Sequence, residues 1–298
     1  MRRDPDVTQA SALEARALAA ALPALMLAAR QLAGQVDAGR HGRRRSGAGE
    51  QFWQYRAAEA GDSRRMIDWR RSARSEKLFR REQEAQSSAV LLIGVDRHAG
   101  MAWSSAPGVE TKLARAVVLA LACGCLALAA GERVAVLGQS HAVSGQGSLA
   151  QLAAGLLVAR LDDAPVMPGG VLALFGDFFD APEQSAARLG RLGSGLRGGV
   201  LVQVLDPAEL DFRYHGRVLF EDMGGRPRVD EGNDEADVAR AEAIAPAFRA
   251  RMTAQIAAVA AVARAARLTP ILHRTDQAAL AALMAIYPAL AAARGRFG

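Results

Sequence analysis

The sequence predicts an α/β fold organised around a mostly parallel, doubly wound sheet, and three observations predict it. Short continuous apolar runs recur at VLLIGVD (90–96), RVAVLG (133–138), VLALFGD (171–177) and VLVQVLD (200–206). Each is β-branched or leucine-rich and ends at a carboxylate or glycine, the pattern of strands buried on both faces. Alanine- and leucine-rich helical segments separate them, and strands alternating with helices imply parallel pairing through right-handed crossovers. The composition agrees: 298 residues with 51% hydrophobic and 5% aromatic content fill a core mainly with small and aliphatic side chains.

The elements follow in order. A first helix, capped by Thr8 or Ser11, is expected to reach about Leu32, with Leu13, Leu18, Leu22, Leu25 and Leu32 on its apolar face and Gly34 as its stop. Glu14, Arg16 and Arg30 interrupt this apolar stretch, so neither an export signal nor a membrane span is expected, and a cytoplasmic location follows. The later apolar run 116–130 contains Gly124 and is shorter than a span. Residues 1–34 thus form an N-terminal helix, 35–88 an arginine-rich inserted segment and 89–298 the α/β domain. In that domain a helix is expected over 110–130, ended by Gly131, with an edge strand near 141–144 and a helix through SLAQLAAGLLVARL (148–161). A helix near 183–196 precedes the fourth strand. A hairpin insertion near 211–232 turns at Gly224-Gly225. A helical stretch over 234–267, broken or kinked at Pro246, leads to a last strand, TPILHR (269–274), and a final helix.

The formal charge is +6, and the only lysines are Lys77 and Lys112. Between Gly39 and Arg81 thirteen arginine or lysine residues face five acidic ones, so the rest of the chain is slightly acidic. Arginine's planar fork suits carboxylates and phosphates, which fits an acidic partner or nucleic acid. A general replacement of lysine by arginine on a solvated surface reads equally well. Within this segment Gly61-Asp62 marks a turn, and Ile67 and Trp69 alternate toward a core. Asp68 lies among Arg64, Arg65, Arg70, Arg71 and Arg74, which make either a local ion-pair network or an exposed face that binds an acidic partner. Trp53, Tyr55 and Trp69 read as core anchors rather than base-stacking platforms. Cys123 and Cys125 lie two apart in a helix, point in different directions and read as small core residues.

In an open α/β sheet, ligands bind beyond the carboxyl ends of the strands. The loops after Asp96, Gly138, Asp177 and Asp206 are therefore where chemistry is expected. Asp96 and Asp177 can share a hard cation such as Mg²⁺ through carboxylate oxygens, and His98 beside them widens the choice to a transition metal. The alternative is that Arg97 or a nearby arginine neutralises Asp96.

The stretches GRHGRRRSGAGEQFWQYR, GDSRRMIDWRRSAR, LFRREQE and VLLIGVD closely resemble the bacterial family known as domain of unknown function fifty-eight. The resemblance implies a von Willebrand A-like domain that works with a MoxR-type AAA+ ATPase, and with another von Willebrand A-domain protein as a further partner. That family carries a metal motif of aspartate followed by two alternate serines. Here Asp96 stays but His98 and Gly100 replace the serines, removing two hydroxyl ligands. Ser140 and Ser144 are the candidates for the separate threonine of the motif. The resemblance therefore implies a degenerate metal-ion-dependent adhesion site around Asp96, His98, Gly100 and Asp177, with no cofactor required.

Enzymatic signatures are missing from the sequence. Neither lysine follows a glycine as a phosphate-loop lysine does, no G-x-S-x-G elbow occurs, and histidines 41, 98, 141, 215 and 273 lack zinc spacing. A non-catalytic protein-interaction adaptor is expected. A metal-dependent hydrolase at Asp96 and Asp177, or an arginine-mediated nucleic-acid binder, is the alternative.

Overall fold

The computed structural model describes residues 24, 26–36, 52–57, 72, 78–83, 90–106, 110–159, 161, 167–221 and 235–295. The chain divides into two compact units, one of residues 1–40 with 89–298 and one of residues 41–88. In the smaller unit, β1 (Phe52–Ala57) and β2 (Phe79–Gln83) pair antiparallel with a bulge between Phe52 and Gln54. The Phe79 amide donates to Ser72 Oγ at 2.9 Å. Arg64, Arg65, Asp68, Arg70, Arg71, Arg74 and Trp69, the Gly61-Asp62 turn and the Thr8 and Ser11 caps lie outside the described residues.

The larger unit is the expected α/β layer structure. Its sheet comprises β3 (Val90–Val95), β4 (Arg133–Val136), β5 (Val171–Gly176), β6 (Gly198–Leu205) and β9 (Leu268–Arg274), in the order β4-β3-β5-β6-β9 with every pairing parallel. Strand residues alternate between two cores, as the two-residue period of a strand requires. Leu91, Ile93, Val171, Ala173, Phe175, Val200 and Val202 face one core; Leu92, Leu172, Leu174 and Leu201 face the other. The first face is covered by α1 (26–36), α2 (Lys112–Ala129), α3 (Leu149–Val158) and α7 (Ala279–Gly295). The second is covered by α4 (Pro182–Gly193) and α6 (Ala241–Ala265). The short α5 (Pro207–Asp211) follows β6.

α2 is long and apolar enough to cross a membrane by length and composition, yet 78% of it is buried inside the fold. Its Cys123 is a free thiol that burial pushes up to about 12, so it stays an inert core group.

Four expectations need correction. α1 does not stop at Gly34 but runs to residue 36, because Ala29, Leu32, Ala33 and Val36 form one buried stripe and burial of Val36 outweighs the glycine's helix penalty. The piece at 141–144 is a single antiparallel bridge, Val143 to Val134, rather than a strand. The helical stretch expected from 234 begins only at Ala241, since Glu235–Val238 forms β8 and pairs antiparallel with β7 (Val218–Glu221). The hairpin thus extends past 232, and its Gly224-Gly225 tip lies outside the described residues. Pro246 does not break α6: the helix continues through it to Ala265, although as its sixth residue the proline leaves the Glu242 carbonyl without an i→i−4 donor.

Where β5 meets β6, a Cβ on Gly199 would lie 1.9 Å from the Leu172 carbonyl oxygen, and its φ of 155° is unusual for any residue with a side chain. Gly199→Ala is expected to destabilise the fold by about 3 kcal/mol in urea unfolding. Gly190, exposed in α4 with nothing within 4 Å of its Cβ position, serves as the control; Gly190→Ala is expected to stabilise by up to about 1 kcal/mol.

Candidate functional site

The strand order reverses between β3 and β5, and the crevice at such a reversal lies beyond the carboxyl ends of the two strands. Asp96 and Asp177 occupy those ends. The Asp96 amide donates to the Phe175 carbonyl at 2.8 Å, so its backbone is still held by the sheet. Its neighbour across the crevice is Gly176, where a Cβ would come within 2.9 Å of the Asp96 Cβ; a glycine leaves the space that Asp96 uses.

The loop after β5 is tied down from two elements. Gln203 of β6, buried, donates through Nε2 to the Asp177 carbonyl at 2.8 Å, and Gln255 of α6 donates to the carbonyls of Phe178 at 3.0 Å and Asp180 at 3.2 Å. These contacts hold Phe178 in the left-handed region at φ 53° with its ring in the core, a costly conformation kept by its surroundings.

Asp177 is fully buried, and both of its oxygens are engaged. Oδ2 accepts from Lys112 Nζ at 2.9 Å, and Oδ1 lies 3.0 Å from His98 Nε2. The Gly100 amide donates to His98 Nδ1 at 3.1 Å, so the ring proton is assigned to Nε2, facing Asp177. Gly100 permits that fold-back: a Cβ there would lie 2.8 Å from His98 Cε1. His98 also caps the 3₁₀ turn Ala99–Ala102.

Lys112, 2% exposed, links two carboxylates, since its Nζ also donates to Glu209 Oε1 at 2.5 Å. It stands in the first turn of α2, just after the Thr111 cap, where the helix dipole disfavours a cation. The two carboxylates offset that cost. Glu209 in turn completes a capping box on α5: the Asp206 amide donates to Glu209 Oε2 at 2.8 Å, while Asp206 accepts from the amides of Ala208 and Ser105. Burial is the largest influence on the Glu209 carboxyl and pushes it up, with Lys112 opposing.

The site therefore brings together Asp96, His98, Gly100 and Asp177, as expected, and adds Lys112, Glu209 and Arg188. Arg188 of α4 donates to Asp180 at 2.9 Å and lies 3.9 Å from Asp96 Oδ2. Arg188 is thus a nearby arginine of the kind expected beside Asp96, while the Arg97 guanidinium donates to the Leu157 carbonyl at the end of α3. Ser140 and Ser144 are exposed on the loop after β4.

Ligand atoms of Asp96, His98 and Asp177 all lie within 4.8 Å of one another, a donor set suited to a transition metal. As arranged, it fits a divalent ion poorly. His98 Nε2 presents a proton and Nδ1 is already an acceptor, while the Lys112 ammonium adjoins Asp177. Two unit charges roughly 4 Å apart interact by about 4 kcal/mol at an effective dielectric of roughly 20, and a dication beside Lys112 would double that repulsion.

A second cluster adjoins on α2 and β9. Arg115 pairs with Glu110 at 2.6 Å, donates to the Gln277 carbonyl and lies 3.0 Å from Nε2 of buried His273. Burial, then Arg115, lowers His273 to about 4.

The chain matches the family described as "Protein of unknown function DUF58" over residues 54–257, more than half its length, and belongs to that family. No curated protein and no solved structure matches it.

Two outcomes follow from this geometry. Asp177→Asn leaves a buried ammonium short of one counter-charge and is expected to cost about 3 kcal/mol in urea unfolding; a change under about 1 kcal/mol would show that the pair does not hold the site. Between pH 6.5 and about 4 the unfolded His273 binds a proton that the folded one refuses, so this residue's contribution to stability is lost as pH falls through that window. His273→Gln is expected to flatten that part of the stability profile measured by denaturation from pH 7 to pH 4.

Proposed function

We propose that this chain is a non-catalytic protein-interaction adaptor of von Willebrand A-like fold with a degenerate metal-ion-dependent adhesion site. It works in the cytoplasm with a MoxR-type AAA+ ATPase, and with a second von Willebrand A-domain protein where one is present, in assembling or maturing a protein complex. The observation that carries the reading is the commitment of both Asp177 oxygens to Lys112 and His98. An acid held this way is a structural anion rather than a base, a nucleophile or a ready metal ligand.

The sheet order and the antiparallel bridge at Val143, beside the edge strand β4, support the von Willebrand A-like assignment. The ATPase partner follows from the family resemblance, and the excess of arginine between Gly39 and Arg81 supplies a charge suited to an acidic docking face.

The test is capture of a MoxR-type ATPase from the same genome on the immobilised chain. Capture is expected without nucleotide in excess EDTA, since docking needs no metal here, and Arg70→Glu with Arg71→Glu is expected to weaken it at least roughly tenfold. No capture in either the nucleotide-free or the ATP-loaded state rejects the docking reading. Duplex DNA retained in place of the ATPase, and released steeply between low and physiological salt, would favour an arginine-mediated nucleic-acid binder.

A further inference from the structure

We infer that Lys112 is the resident cation of this sheet edge: its ammonium takes the place of a divalent ion, and its removal converts Asp96, His98 and Asp177 into a transition-metal site. Three independent features converge on this. The ammonium is buried and spans Asp177 Oδ2 at 2.9 Å and Glu209 Oε1 at 2.5 Å, so it joins the end of β5 to α5 as a metal joins ligands from separate loops. It opens a helix, where the dipole disfavours a positive charge, so local helix stability does not account for a lysine there. Its Asp177 partner also belongs to the three-residue donor set whose ligand atoms lie within 4.8 Å of one another.

The chemistry of that set decides which ion would enter. Two carboxylates and an imidazole suit Zn²⁺ or Mn²⁺ better than Mg²⁺. Loss of the ammonium removes the charge repelling a dication and leaves Asp177 Oδ2 without its lysine partner. A metal at Nε2 requires the other neutral tautomer: the Nε2 proton leaves to solvent, one is taken up on Nδ1, and the Gly100 amide gives up that acceptor.

The inference rests on the degenerate-site part of the proposed function and not on docking, so metal titration and ATPase capture fail separately. Calorimetric titration of the full chain with Zn²⁺ alone and with Mn²⁺ alone is the experiment. Wild type is expected to show no binding up to millimolar metal. Lys112→Ala is expected to bind at least one of the two ions at least roughly tenfold more tightly than wild type, and adding Asp177→Asn is expected to abolish the gain. Micromolar binding by wild type, or a folded Lys112→Ala chain as inert as wild type, overturns the inference. Should Lys112→Ala fail to fold in metal-free buffer, thermal melts decide. A cooperative transition restored by Zn²⁺ or Mn²⁺ supports the inference, and restoration by ethylammonium alone or by none of the three overturns it.

Discussion

The buried ammonium of Lys112, shared by Asp177 and Glu209, is the contact on which the carboxyl end of the sheet depends. It couples three segments: the first turn of α2, the end of β5 and the capping box of α5. Each carboxylate it holds has a second duty. Asp177 receives His98 and so positions the loop after β3, while Glu209 closes the amino end of α5 on Asp206. Removal of one partner from such a network leaves uncompensated charge in a region with little water to screen it, which is why the members act as a unit.

Around this network the loop after β5 is over-determined. Gln203 and Gln255 reach it from β6 and α6, and Arg188 of α4 connects Asp180 toward Asp96. The strain in Phe178 is tolerated because its ring fills the core beneath while two glutamine side chains hold the carbonyls around it. The result is a crevice with fixed polar walls, a form suited to recognition by shape.

The parallel sheet was legible because buried strands leave an unmistakable apolar run, and those at 90–95, 171–176 and 198–205 lie within residues of their expected bounds. Asp96 and Asp177 were legible as carboxylates at strand ends, whereas His98 and Gly100 were legible through the family resemblance, at the positions where its motif has serines. What escaped the sequence depends on tertiary packing. Val36 carries α1 past a glycine, and β8 takes residues whose composition suits a helix because β7 offers them a ladder. Lys112 reads in isolation as a charge lacking a phosphate-loop glycine. Its signal lay in context: a lysine in a chain that otherwise uses arginine almost throughout, placed at the start of an apolar helix where a cation is locally unfavourable. Only the fold reveals the carboxylates that justify it, since Glu209 is 97 residues away.

The fold-back of His98 over the Gly100 amide also constrains how this crevice can change over time. With the imidazole where it is, any side chain at position 100 meets His98 Cε1 at 2.8 Å. A side chain there requires the imidazole to be exchanged or to swing away, so positions 98 and 100 are sterically coupled. The missing Cβ of Gly100 is thus the clearance that the imidazole occupies, and the two residues act as one steric unit.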